Sequence, residues 1–149
     1  MRFESYLSAP QVESWGVLRG SDTVDRAQLG DGLAPTLAGF IAQCAQDAGL
    51  LAATAARAAV ASAMSPAALQ ARQALPCVPR PGKIVCLGVN YIDHAKEGGN
   101  TVADYPALFL RCATSLLAHG APLQVPAVSD KLDFEAELAV VIGRQTRRV

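Results

Sequence analysis

Three carboxylates alternate with other residues in Asp133-Phe134-Glu135-Ala136-Glu137, immediately ahead of the apolar run Leu138-Ala139-Val140-Val141-Ile142-Gly143. The run reads as a strand, and in a strand residues two apart point to the same face. Asp133, Glu135 and Glu137 then share one face, with neighbours about 6–7 Å apart along the backbone. Phe134, Ala136 and Leu138 share the other. Like charges so close repel one another. A hard divalent cation offsets that repulsion, and Mg²⁺, Ca²⁺ and Mn²⁺ all favour oxygen ligands. The same spacing also fits a polar strand end that simply faces water.

A second constellation lies upstream. His94 and Glu97 are three apart in Asn90-Tyr91-Ile92-Asp93-His94-Ala95-Lys96-Glu97. This stretch reads as a short helix, with Asn90 as N-cap and Gly98-Gly99 as the stop. Residues three apart on a helix are neighbours on one face. A carboxylate beside an imidazole orients it and stabilises its protonated form, the arrangement of a general base. The alternative is an ordinary surface pair, and Asp93 likewise fits a first-turn acid that favours the helix dipole. Just before the helix, Gly88-Val89-Asn90 stands where a strand meets a helix N-terminus, a place whose N–H groups suit an anion or oxyanion. The G-x-x-x-x-G-K-[ST] phosphate-loop pattern is absent. His119 beside Gly120 reads as a turn residue, Cys86 as core, and Trp15 and Tyr6 as packing residues.

The elements that must position these groups follow from the rest of the pattern. Strands are expected over 2–7 and 13–18, with a Gly20-Ser21-Asp22 turn and a third strand near Thr23-Val24. Pro35 opens a helix over 36–47, whose apolar face is Leu37, Phe40, Ile41 and Cys44. An alanine-rich helix over 49–63 and a short one over 66–74 follow, punctuated by Ser65-Pro66. Pro76-Cys77-Val78-Pro79-Arg80-Pro81-Gly82 continues neither a helix nor a central strand. It divides a small N-terminal domain, 1–75, from a second domain, 83–149, with 76–82 as linker. The second domain begins with a buried strand over 83–89. A strand at 108–110, a turn at 119–122, an edge strand at 123–126 and the carboxylate strand follow.

Composition narrows the classes of function. At 149 residues, 51% apolar and 17% charged, the chain can bury a core and is not of disordered type. Its formal net charge is zero, and the only locally basic stretch is Arg144, Arg147 and Arg148. That is no nucleic-acid surface, which needs a basic patch or stripe. Cys44, Cys77, Cys86 and Cys112 stand far apart without zinc spacing. The N-terminus lacks the apolar core of a signal peptide, and the alanine-rich stretch carries Arg57 and polar residues that unfit it for a membrane span. The expectation is a cytoplasmic protein with reduced thiols and no membrane partner.

The order of these pieces resembles the fumarylacetoacetate hydrolase family. The matching segments are the stretch from Pro79 to Ala95 containing Gly88-Val89-Asn90-Tyr91-Ile92-Asp93-His94, then Pro106-Ala107-Leu108-Phe109-Leu110, then the stretch from Leu132 to Gly143. Residues 1–75 are similar, more loosely, to the small N-terminal domain of many bacterial members. The resemblance implies an α+β protein: a small N-terminal α/β domain, then the first part of a β-rich mixed sandwich or roll. It implies a divalent metal, usually Mg²⁺, with Ca²⁺ or Mn²⁺ in some members. Glu135 and Glu137 match the metal-binding E-x-E, His94 the catalytic histidine and Glu97 its paired acid. Asn90 and Tyr91 fall on the substrate-binding part of the motif. Family substrates are small 2-oxo or 1,3-diketo acids, which undergo C–C hydrolysis, decarboxylation or keto–enol isomerisation, and members are commonly homodimers. The family's third ligand, an Asp some thirty residues past the E-x-E, lies beyond Val149. The expectation is therefore the N-terminal half of such an enzyme, inactive as a fragment. The alternative is a non-catalytic binding or assembly module.

Overall fold

The computed structural model of the protein describes residues 1–101 and 104–149. They form two compact units, Met1–Val78 with Leu117–Val149, and Pro79–Leu116. The architecture is mixed α+β with antiparallel sheets.

The first unit is built on a four-stranded sheet. β1 (Arg2–Ala9) and β2 (Val12–Arg19) pair through a two-residue turn that puts Gln11 at φ +62°. β2 and β3 (Asp22–Asp25) pair through Gly20-Ser21, with Gly20 at φ +64°. In the second of these turns the left-handed residue is the first central one, which suits the twist of a tight hairpin, and glycine adopts it without steric cost. α1 (Leu37–Gln46) starts one residue later than expected, so that Pro35 stands ahead of the cap and not at a first helical position. Its cap is Thr36, whose hydroxyl accepts the Gly39 amide at 3.1 Å. α2 (Leu50–Val60) follows, and α3 (Pro66–Ala71) carries proline in its first turn behind the Ser65 cap. The helix expected over 66–74 is shorter than that. Its last residues turn into β4 (Gln73–Ala74), which pairs with β1 and completes the order β3-β2-β1-β4. A sheet edge that can be paired overrides weak helix propensity in so short a segment.

The core lies on one face of this sheet. The Phe3↔Val17 and Ser5↔Trp15 register places Phe3, Val17 and Trp15 on that face, and α1 adds Leu37 and Phe40. Trp15 and Phe40 stack with ring centroids 4.4 Å apart, and Phe3 meets both rings at 5.8 and 5.7 Å. The one polar atom of the Trp15 side chain is satisfied, since its indole N–H donates to the Ala34 carbonyl at 2.9 Å.

The opposite face is polar. The Tyr6 hydroxyl donates to Asp25, Thr23 donates to Glu4, and Glu4 pairs with Arg72, whose guanidinium lies 5.4 Å from the Tyr6 ring centroid. Burial first, and then the Asp25 carboxylate, push the Tyr6 phenol well above its usual range. Gly16 makes this face possible: a Cβ there would stand 2.6 Å from Thr23 Cγ2 and 2.8 Å from the Val24 carbonyl oxygen.

The second unit pairs β5 (Ile84–Gly88) antiparallel with β6 (Ala107–Arg111), around α4 (Ile92–Glu97). Val85, Leu87, Leu108 and Leu110 occupy one face of this hairpin and are all exposed. Among the described residues no strand follows β6. The strands expected at 123–126 and 133–143 are therefore corrected to segments without a ladder. A strand needs a hydrogen-bonded neighbour, and the described residues supply none to 139–142. In the same way, the β-rich content expected after residue 83 amounts to one two-stranded hairpin among the described residues. The finding for the fold class is mixed α+β.

Candidate functional site

The hairpin places its own end where chemistry was expected. Gly88 is the last residue of β5 and faces Ala107, the first of β6; a Cβ on Gly88 would sit 3.3 Å from Ala107 Cβ. The chain then turns sharply, with Val89 at φ +55°. Asn90 was expected to cap the helix, but the N-cap is Tyr91, in extended geometry and without a side-chain cap bond. The shift is physical: the left-handed residue at 89 uses one more position to swing the backbone into helical direction. α4 ends at Gly98, whose amide donates to the His94 carbonyl, and Gly99 follows at φ +68°.

Leu87, Gly88, Val89 and Asn90 wall a cavity of about 210 Å³, closed on the other side by Asp104, Tyr105 and Pro106. Of the expected substrate-binding pair, Asn90 lines this cavity and Tyr91 does not. Asp104 and Tyr105 were missed by sequence reasoning. The available signal was the pairing of the two strands. Antiparallel strands bring the residues after the first beside the residues before the second, so reading 83–89 and 108–110 as partners would have placed Asp104–Pro106 opposite Val89 and Asn90.

His94 and Glu97 both lie on α4, three residues apart and exposed, while the buried side of the helix is Ala95. Asp93 and Lys96 form an ion pair across the helix surface at 3.6 Å, an exposed contact of little energetic weight. Glu135 and Glu137 are exposed and belong to the first unit, whereas His94 and Glu97 belong to the second. Asp133 accepts the adjacent Phe134 amide at 2.8 Å. Among the described residues no group of three or more His, Cys, Asp or Glu side chains is placed to hold a metal ion. The two glutamates suit a hard cation in kind, being oxygen donors two positions apart, but no third side chain joins them there.

Residues 83–149 match the family model described as fumarylacetoacetate (FAA) hydrolase C-terminal. Over that stretch, somewhat less than half of its length, the chain is similar to the fumarylacetoacetate hydrolase family. Among curated relatives, it is 48% identical over 67 residues to a mitochondrial oxaloacetate tautomerase of Arabidopsis thaliana, a match covering 45% of this chain and 30% of the relative. It is 40% identical over 72 residues to a human mitochondrial oxaloacetate tautomerase, covering 48% of this chain and 23% of the relative. It is 39% identical over 70 residues to an uncharacterized protein of Methanocaldococcus jannaschii, covering 47% and 30%. The chain thus spans between 23% and 30% of the length of these relatives. No solved structure matches it. No helix among the described residues is long and apolar enough to cross a membrane.

Proposed function

We propose that this chain serves a fumarylacetoacetate hydrolase-type enzyme that interconverts the keto and enol forms of a small 2-oxo acid of the oxaloacetate kind. The observation that carries the proposal is the corner from Gly88 to His94. There a strand end, a cavity and a short helix bearing an imidazole and a carboxylate follow one another within a few residues. The names of the tautomerase relatives then favour isomerisation over the C–C cleavage and decarboxylation also found in the family.

The chemistry asked of the chain is modest. Tautomerisation moves one proton from the carbon beside the 2-oxo group to the carbonyl oxygen, and no bond between heavy atoms breaks. His94 takes the carbon-bound proton as general base and returns a proton at oxygen, and Glu97 holds the imidazolium. Such a positioned base contributes about 10²–10⁴-fold. Asn90 and Tyr91 bind the acid at the strand-to-helix corner. Glu135 and Glu137 would hold a divalent cation, Mg²⁺ before Mn²⁺ or Ca²⁺. When bound, that cation supplies positive charge against the developing enolate oxygen. In this reading residues 83–149 contribute to a fumarylacetoacetate hydrolase-type sandwich, and 1–75 is a separate packing domain.

The test is an oxaloacetate assay with the 149-residue chain, following the ultraviolet absorbance of the enol in Mg²⁺, Mn²⁺, Ca²⁺ or chelator. Metal-dependent acceleration that His94→Ala and Glu135→Gln each reduce by about 10²-fold or more is the expected result. Acceleration untouched by His94→Ala would discard the assignment of the base. A second reading, a non-catalytic binding or assembly module, is favoured by the exposed apolar side chains Phe134, Val140, Val141 and Ile142. Enol formation no faster than in buffer, at every metal concentration, would leave that reading standing.

A further inference from the structure

We infer that the left-handed backbone of Val89 is a positioning element of the site, setting the direction in which Asn90 and α4 leave the strand; this rests on the reaction proposed above. Three described non-glycine residues have positive φ, and two of them are no surprise in type or place. Gln11 sits in the two-residue turn between β1 and β2, and Arg148 is next to the last residue. Val89 differs from both. It is β-branched, the type for which a left-handed backbone is a genuine outlier, and it follows directly on the last paired residue of β5.

Such a conformation persists only where the surroundings fix it. Here two flanks do so. On one side Gly88 packs closely on Ala107, which anchors the end of the hairpin. On the other, the Ala95 amide donates to the Tyr91 carbonyl at 3.0 Å, and Ala95 is buried, which anchors the start of α4. The peptide between these anchors has to reverse its course at residue 89. In doing so it lines the cavity with Leu87 through Asn90 and faces Asp104, Tyr105 and Pro106. The corner thus links the cavity wall to the helix that carries His94 and Glu97, and its angle sets where both groups stand.

The experiment compares Val89→Ala, Val89→Asn, Val89→Gly and Val89→Pro by three readouts. The first is the unfolding midpoint followed on the amide signals of residues 84–111. Asn tolerates the left-handed region and Gly adopts it freely, so both variants should unfold at a higher midpoint than the Ala variant. Equal midpoints would mean that residue 89 carries no strain and would overturn the inference. The second readout needs no turnover: the ring signals of His94 should shift in the Gly and Pro variants and return toward the parent position in the Asn variant. His94 signals unmoved in all four would overturn the positioning role even if strain is present. The third is the oxaloacetate assay. The Gly variant should lose about 10-fold in kcat with KM changed by about twofold or less, since a loosened corner misplaces the reacting groups; the Asn variant should recover most of the loss. Parent-like turnover in the Gly and Pro variants would also overturn the inference. If the parent chain shows no turnover, the proposed reaction fails, while the first two readouts still decide the role of Val89.

Discussion

Residues 1–78 and residues 83–149 are similar in length, yet the same kinds of side chain have different fates in them. In the first stretch, Trp15, Tyr6, Phe40, Leu29 and Leu37 are essentially without solvent exposure. In the second, Phe134 is 88% exposed, Val140 75% and Leu110 71%. The difference does not lie in hydrophobicity or β propensity, since the 138–142 run is as apolar and β-branched as any strand in the molecule. It lies in partners. The first sheet has helices α1 and α2 to cover one face and a polar clasp on the other. The β5–β6 hairpin has one apolar face exposed, and a two-stranded hairpin is at best marginally stable in water. Local sequence makes a segment capable of being a strand; a neighbouring strand and a covering layer make it one.

The strongest way to break this contrast is to remove the centre of the first core. Trp15→Ala takes away the ring that stacks on Phe40 and meets Phe3, together with the hydrogen bond to Ala34. The expected loss is about 3–5 kcal/mol, a large part of what a small domain has. Circular dichroism should show the first unit substantially unfolded at room temperature or melting far below the parent chain. A shift of only a degree or two would mean that the stacked aromatic cluster is not the centre of the fold.

A smaller and sharper test uses the polar face of the same sheet. The Tyr6 phenol has its pKa raised by burial and by the Asp25 carboxylate it donates to. A raised value in the folded state favours the neutral phenol. Its contribution is fully present below about pH 10, the ordinary tyrosine value in the unfolded chain. Above that pH the unfolded state loses the proton that the folded state keeps, so stability falls as pH rises through the folded pKa. Tyr6→Phe should cost about 1 kcal/mol near neutrality through the lost hydrogen bond. It should also flatten the alkaline loss of stability between about pH 10 and 12, measured by urea unfolding with the fluorescence of Trp15, the single tryptophan. An unchanged alkaline slope would show that Tyr6 ionises as freely folded as unfolded.

These contrasts also mark what could be read without coordinates. Residues 1–75 were legible nearly element by element. Pro35, the Gly20-Ser21 turn, the Leu37/Phe40 stripe and the Ser65-Pro66 start are local signals, and Leu37 and Phe40 are buried in the core. The exceptions have non-local causes. Gln73–Ala74 is strand because β1 offers it an edge, and Tyr6 faces a clasp whose members, Glu4, Asp25 and Arg72, are scattered over the sequence. After residue 83 the hairpin strands and the short helix that carries His94 and Glu97 were legible from the pattern. What spacing could not supply was the third dimension. The left-handed turn at Val89 moved the cap from Asn90 to Tyr91, and the pairing of β5 with β6 brought Asp104 and Tyr105 to the cavity. The carboxylate strand failed as a strand reading for the same reason: alternation shows which side chains would share a face and says nothing about whether a neighbour is present.

The smallest expected effect tests that last point. Phe134 is a large aromatic side chain, and buried in a strand it would cost several kcal/mol to remove, about as much as Trp15. At 88% exposure it has little contact to lose. Phe134→Ser should therefore shift stability by no more than about 0.5 kcal/mol, with the unfolding curve of the first core superimposed on that of the parent. Val140→Thr should behave alike, since the exposed isopropyl gives up little by gaining a hydroxyl. The amides of Val140, Val141 and Ile142 should exchange with solvent close to the rate of an unfolded peptide, because none belongs to a ladder. A loss of 2 kcal/mol or more ~ the scale of a buried side chain ~ in Phe134→Ser, or slow exchange at 140–142, would show that this segment finds a covering layer in solution. The contrast between the two stretches would then reduce to one of local sequence, and the carboxylates at 135 and 137 would regain the fixed strand face on which a metal site depends.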